Sequence, residues 1–123
     1  IMNNKPKLKI DSNGTKRWYL PNGKLHREDG PAIEWVDGYK EWYRNDKLHR
    51  EDGPAVEYAD GSKLWYRNGE FHREDGPAVE YANGTKEWWL NDKKYTEKEW
   101  MLHTLRNVDP KTRKAYKDII GEL

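Results

Sequence analysis

The heptapeptide His-Arg-Glu-Asp-Gly-Pro-Ala begins at His26, again at His49 and again at His72. The likeness continues on both sides of it, from an Asn/Asp-Gly turn through a Trp-Tyr pair to an Ala-Ile/Val-Glu-aromatic run. Gly38, Gly61 and Gly84 stand 23 residues apart, and the first step is one residue longer because Pro21 precedes Asn22-Gly23. A fixed period marks a chain of stacked units, none of which can bury its apolar face alone. The repetition also constrains function. Three copies of one polar loop are three copies of a structural device or a row of binding sites. A catalytic site needs groups held in different environments, which identical copies do not provide.

The apolar part of this sequence is thin and aromatic. Only 34% of the 123 residues are hydrophobic against 37% charged, so the seven Trp and eight Tyr must supply much of any core. Each aromatic buries roughly 150–250 Å², and a disordered chain would lack them. The net charge of +1 comes from interleaved opposite signs. That argues against a duplex-DNA binder, whose affinity rests on neutralising phosphates with a basic face. The chain has no cysteine, hence no disulfide and no thiolate chemistry, which fits a reducing cytoplasm. No apolar run approaches the roughly 20 residues of a membrane span, and no signal peptide is visible. Ile1 before Met2 reads as an appended residue, with Met2 the start. One domain is expected.

Along the chain, residues 1–12 form a basic, strand-like lead-in, 13–95 hold the repeats and 96–123 form a tail. The repeats run 13–36, 37–59 and 60–82. A fourth begins at Asn83-Gly84, keeps Trp88-Trp89 and Asn91-Asp92, and lacks the loop. Asp60-Gly61 between Val56-Glu57-Tyr58 and Lys63-Leu64-Trp65 predicts a hairpin with a type I′ turn, which needs positive φ at both central residues. Asp37-Gly38 and Asn83-Gly84 match it. Second turns fall at Asn22-Gly23, Asn45-Asp46 and Asn68-Gly69. Asp-Gly-Pro, at Asp29, Asp52 and Asp75, takes the chain out of the sheet, because Pro restricts its neighbour and cannot donate to a ladder. Strand alternation puts Ile33 with Trp35, Val56 with Tyr58 and Val79 with Tyr81 on one face, and Glu34, Glu57 and Glu80 on the other. The apolar pairs are expected to stack into a continuous core.

The tail leaves the period. Thr96 and Glu99 fit a capping box, and a helix to about Arg106 would bring Trp100, Leu102 and Leu105 near the sheet. Asp109-Pro110 opens a second helix, with Tyr116, Ile119 and Ile120 as its apolar side and Gly121 as its end. A repeat array needs an atypical end to shield its last unit, and the tail is read as that cap.

Trp-Tyr-x-Asn-Gly-x-x-His, followed by Gly-Pro-Ala-Val-Glu-Tyr and Asp-Gly, resembles the MORN repeat in its variant form, most clearly over 38–82 and in outline over 13–95. The resemblance implies a mainly β fold, an array of MORN-like β-hairpin repeats of period 23 with the two helices as a C-terminal cap. It implies no enzymatic activity, since such arrays serve as scaffolds, assembly modules or binding partners. The arrays of bacterial antitoxin-like proteins are similar, and so are the His-Arg-Glu-Asp-Gly-Pro-Ala repeats in proteins of bacteriophages and large viruses. The sequence departs from the plain pattern by placing Arg-Glu-Asp between the His and its Gly, which makes the loop charged.

The loop admits two readings. In one, Asp caps backbone N–H groups before Gly-Pro, Arg pairs with Glu or Asp of the same or next repeat, and His packs on a neighbouring His or Trp. In the other, Arg27, Arg50 and Arg73 are a row of forks for phosphate or carboxylate, with His26, His49 and His72 as added donors. A metal is not expected, because strands about 4.8 Å apart keep the three His from converging on one ion.

The aromatic row Trp18/Tyr19, Trp42/Tyr43, Trp65/Tyr66 and Trp88/Trp89 puts one ring on each sheet face. One ring of each pair is expected in the core. The other is an interaction strip unless the tail or the loops cover it, and Trp and Tyr suit both interfaces and base stacking.

No Gly-rich phosphate loop, nucleophile elbow or His-Glu-x-x-His motif appears, so no catalytic residue or cofactor is expected. The expected function is non-catalytic binding of a partner protein through the repeat face, as a bacterial or phage inhibitor or antitoxin-like module in the cytoplasm (the host's, if phage-encoded). The alternatives are a sponge sequestering a nucleotide or another phosphate-bearing signal, an anti-defence role for a phage protein, and a homo-oligomer assembled through a free sheet edge.

Overall fold

A computed structural model describes residues 4–105 and 108–121, with backbone only for Ile119 and Ile120. The described chain is mainly β, as the repeats led us to expect. The main sheet begins at the lead-in, with β1 (Lys7–Ile10) and β2 (Lys16–Tyr19). It continues through β3 (Ile33–Glu34), β4 (Lys40–Glu41), β7 (Val56–Glu57), β8 (Lys63–Leu64) and β11 (Val79–Glu80), and ends in β12 (Lys86–Leu90) and β13 (Lys93–Tyr95). All nine strands pair antiparallel in that order. Two ribbons branch from it: β5 (Tyr43–Arg44) with β6 (Lys47–Leu48), and β9 (Tyr66–Arg67) with β10 (Glu70–Phe71). The helices α1 (Glu97–Leu105) and α2 (Pro110–Ile120) follow.

The two kinds of turn are distributed differently from the expectation. At Asp60-Gly61 only Gly61 has positive φ, 95°. Gly61 N–H donates to the Tyr58 carbonyl and Tyr58 N–H to the Ser62 carbonyl, so the loop is a type I turn closed by a glycine bulge. Asp60 favours it, because its Oδ1 accepts the Ser62 N–H at 2.8 Å. Asp37 and Asn83 do the same for Tyr39 and Thr85. The primed geometry, with both central residues at positive φ, belongs instead to Asn45-Asp46, Asn68-Gly69 and Asn91-Asp92. At Asn22-Gly23 the inserted Pro21 converts that turn to the bulged type, and only Gly23 has positive φ there.

The core is a column of small and branched residues. Ala32, Ala55 and Ala78 are 0% exposed, and Ile33, Val56 and Val79 beside them are buried. The Ala carbonyls accept the N–H of Trp18, Trp42 and Trp65 at 2.8, 2.7 and 2.7 Å. The outer member of each expected core pair is different: Trp35, Tyr58 and Tyr81 remain 44, 42 and 44% exposed. They stand just past two-residue strands, before the turns, where the sheet covers them only in part.

At the C-terminal end α1 lies against β12 and β13. Its capping box forms as the spacing predicted: Glu99 N–H donates to Thr96 Oγ1, and Thr96 N–H to Glu99 Oε1. Trp100 and Leu105 are buried, and Trp100 Nε1–H donates to the Arg73 carbonyl at 2.9 Å. Leu102, expected near the sheet, is exposed. α2 packs on α1, with Asp109 as N-cap accepting the Thr112 N–H. Tyr116, expected on its apolar side, is exposed. The expectations for the Ile119 and Ile120 side chains, Arg106 and the Ile1-Met2 start lie outside the described residues. Among the described residues no helix is long and apolar enough to cross a membrane.

Candidate binding surface

Register divides the sheet into two unlike faces. On one, Lys16, Glu34, Lys40, Glu57, Lys63, Glu80 and Lys86 follow one another across seven strands, each directly opposite the next. Opposite charges in such positions stabilise a sheet by about 0.2–1 kcal/mol per pair. The ladder was legible in the sequence, as a Lys two residues after every repeat Gly and a Glu two residues after every core Ala. On the other face lie Ile33, Val56, Leu64 and Val79, with Glu41 opposite both Ile33 and Val56. We call these the Lys–Glu face and the Val face.

The loop arginines reach the Lys–Glu face. The guanidinium carbons of Arg27, Arg50 and Arg73 lie 4.2, 4.0 and 3.9 Å from the ring centres of Trp18, Trp42 and Trp65. Their Nε–H groups donate to Asp29, Asp52 and Asp75 at 3.0, 3.0 and 2.9 Å. Their Nη1 groups donate to the carbonyls of Pro31, Pro54 and Pro77 at 3.1, 3.0 and 3.0 Å. Glu34, Glu57 and Glu80 lie 3.3, 3.7 and 3.7 Å from the same nitrogens. All these partners belong to the arginine's own repeat. The aspartates therefore hold arginine where backbone capping was expected. The residue two positions on is Pro, which has no N–H for an Asx turn to use. The Arg50 guanidinium beside Asp52 holds its carboxyl below the usual carboxylate range.

The histidines bind one repeat to the next. Nδ1 of His26, His49 and His72 accepts the N–H of Asn45, Asn68 and Asn91, in the turn of the following repeat, at 3.0, 2.9 and 3.0 Å. An accepting Nδ1 leaves the ring proton on Nε2. In His49 that group donates to Glu51 at 2.8 Å, and the bond holds the Glu51 carboxyl below its ordinary range. In His72 the Nε2–H is buried without a hydrogen bond, with Glu74 3.5 Å away. Between successive loops lie two clefts, of about 500 Å³ beside Arg44 and His49 and about 540 Å³ beside Arg67 and His72.

The structure thus separates the aromatic candidates. Trp42 and Trp65 lie under arginines, so the loops cover half of the strip. Trp88 is half-buried on β12, opposite Tyr95 of the terminal hairpin. Tyr43 and Tyr66 turn to the Val face. The Tyr43 hydroxyl donates to Glu41 at 3.0 Å, and Tyr66 stacks on Phe71 at 4.3 Å. Burial, with Glu41 next for Tyr43, pushes both phenols up to about 12. Tyr39 is raised as well, by burial first and then by the charge of Glu41 and a hydrogen bond to it.

The rings left open are ones the sequence reading placed in the core. Trp35, Tyr58 and Tyr81 lie along the turn end of the Val face, and Tyr39 joins the first two, with its ring 6.3 Å from Trp35 and 5.0 Å from Tyr58. Their position just before each Gly turn was the available signal, since a residue there has no strand beyond it to be covered by. No family model, no curated protein and no solved structure matches this chain.

Proposed function

We propose that this protein is a non-catalytic binding module that holds a partner protein against the Val face of its hairpin array. The observation that carries the reading is the row of Trp35, Tyr58 and Tyr81, three large rings in matching positions, each more than two-fifths exposed. Aligned open aromatics are what protein interfaces use as anchors. The array, in this reading a MORN-variant one, is a rigid carrier, and an inhibitory, antitoxin-like role in the cytoplasm of a bacterium or a phage-infected host belongs to the same proposal. Self-association through the outermost strand β1 is disfavoured by its lysines, Lys7 and Lys9, which would face their own copies.

The test is co-purification from the cells in which the protein acts, comparing the parent with a Trp35→Ser/Tyr58→Ser/Tyr81→Ser variant. A partner protein retained by the parent and lost from the variant, with both chains folded, is the expected result. Equal retention by both would refute the role of the Val face. A second reading, capture of a phosphate-bearing ligand, draws on the clefts between the loops and on the His72 Nε2–H, buried without a hydrogen bond. A small adduct in the native mass spectrum, lost in His72→Ala and kept in the aromatic variant, would favour it over the first.

A further inference from the structure

On the Val face the repeats are nearly copies, and two of the positions at which they differ stand side by side. Aligned by their Gly turns, the first of these positions is Thr15, Tyr39, Ser62 and Thr85, and the second is Arg17, Glu41, Leu64 and Glu87. The fold accepts a cation, a carboxylate or a leucine at the second position, so it does not require any one of them. Glu87 is internally satisfied: it accepts Trp89 Nε1–H at 2.9 Å and pairs with Lys94 at 3.6 Å. Glu41 has no such cation. It is half-buried and takes hydrogen bonds from the Tyr43 and Tyr39 phenols, and among the described residues no lysine or arginine pairs with it.

The surroundings of Glu41 are aromatic. Tyr39 and Tyr43 flank it on its own chain segment, Tyr39 leads on to Trp35 and Tyr58, and Ile33 and Val56 stand opposite it. A carboxylate with no counter-ion, beside open ring faces, has the chemistry of a site for an organic cation. The ring quadrupoles attract the cation's face and the carboxylate supplies the charge. Elsewhere this chain uses the same combination internally, with a guanidinium held between a Trp ring and an Asp in every loop. At Glu41 the rings and the carboxylate stand together with no lysine or arginine of the described residues paired to the carboxylate.

We infer that Glu41, with Tyr39, Tyr58 and Trp35, receives a lysine or arginine side chain presented by the partner protein. The inference rests on the binding-module reading and adds the chemistry of the partner at the centre of that face. Charge complementarity selects the occupant: an acidic or wholly apolar segment would leave Glu41 desolvated and unpaired, which costs more than the ring contacts return.

The experiment is a backbone-amide NMR titration of the full chain with three N-acetylated Gly/Ser hexapeptides carrying one lysine, one arginine or one glutamate. Tetramethylammonium is added as a free-cation probe. The expected result is saturable shifts at Tyr39, Glu41, Tyr43 and Tyr58 with the lysine or arginine peptide and none with the glutamate peptide. Glu41→Gln should weaken binding about tenfold, while Glu87→Gln leaves it unchanged. Three outcomes overturn the inference: no saturable shift with either basic peptide, shifts confined to the loop carboxylates, or tetramethylammonium binding more tightly than both peptides. If the inference fails while the serine variant still loses its partner, the binding-module reading stands without a cation. If the serine variant keeps its partner, that reading fails independently.

Discussion

Arg50 holds its guanidinium carbon 4.0 Å above the Trp42 ring, and Gly53 closes the other side so tightly that a Cβ there would lie 2.9 Å from that carbon. Arg27 with Gly30 and Arg73 with Gly76 repeat the arrangement at 2.8 and 2.7 Å. The glycine of Asp-Gly-Pro is thus the lid of a slot, the tryptophan its floor, and the aspartate and the proline carbonyl its hydrogen-bonding ends.

Arg50→Ala should therefore lower stability by about 2 kcal/mol, combining a part-buried cation–π contact with the loss of charge-assisted hydrogen bonds. Urea unfolding followed by tryptophan fluorescence measures this. Arg50→Lys should recover little, because an ammonium cannot stack flat and serve Asp52 and Pro54 together. Unchanged stability in Arg50→Ala would mean that the slot contributes nothing to the fold.

Ala55 sits wholly buried between repeats, its carbonyl 2.7 Å from Trp42 N and its own N–H donating to Leu64 at 2.8 Å. Ala55→Leu has no space to occupy and should cost about 1–3 kcal/mol by overpacking. The same change at the exposed Ala59 should fall within about 0.5 kcal/mol of the parent. A thermal melt of the two variants side by side distinguishes a packed column from a loose one.

His49 is the acceptor for the Asn68 N–H of the next repeat. His49→Ala strands that part-buried donor, so a loss of about 1–2 kcal/mol is expected. Hydrogen exchange gives the sharper readout: the Asn68 amide should lose protection, whereas Asn45 and Asn91, served by His26 and His72, should keep theirs. Uniform loss at all three amides would show that the junctions are not local.

The phenols of Tyr43 and Tyr66 titrate near 12 in the folded chain against 10.0 for an ordinary tyrosine. The fold prefers the neutral form, so the stabilisation is complete below pH 10 and is lost as pH rises from there toward 12. Part of the tyrosinate absorbance should appear only as the pH approaches 12, accompanied by unfolding. Tyr43→Phe should remove part of that late absorbance. Simultaneous ionisation of all eight tyrosines near the ordinary value would contradict the burial of these two.

Much of the fold was legible because its rules are local. The alternation in Val56-Glu57 foretold that Val56 is buried and that Glu57 lies on the opposite face, and Thr96 with Glu99 foretold the start of α1. The failures have one physical origin, that a local pattern does not say what lies across from it. Asp-Gly looked like a primed turn, but a single Oδ1 bond to the residue after the glycine selects the bulged form. Tyr58 alternates in step with Val56, yet Val56 is 2% exposed and Tyr58 42%. Of the candidate binding residues, Arg50 and Trp42 were legible as members of a repeated loop but not as partners of each other. Glu41 and Tyr39 were not legible in the repeat pattern, because they occupy the positions at which the repeats differ.

By itself the sequence determined a stack of antiparallel hairpins with a helical end, because turn residues, two-residue alternation and helix caps act within a few positions of the chain. Only the tertiary structure decided that the loop arginines lie on tryptophans, that the histidines join adjacent repeats, and that Trp35, Tyr58 and Tyr81 stay open on the face where Glu41 is held by phenols and by no described lysine or arginine. The arginine contacts depend on how each loop folds back over its own hairpin, and the histidine links, nineteen positions apart, on how one repeat meets the next.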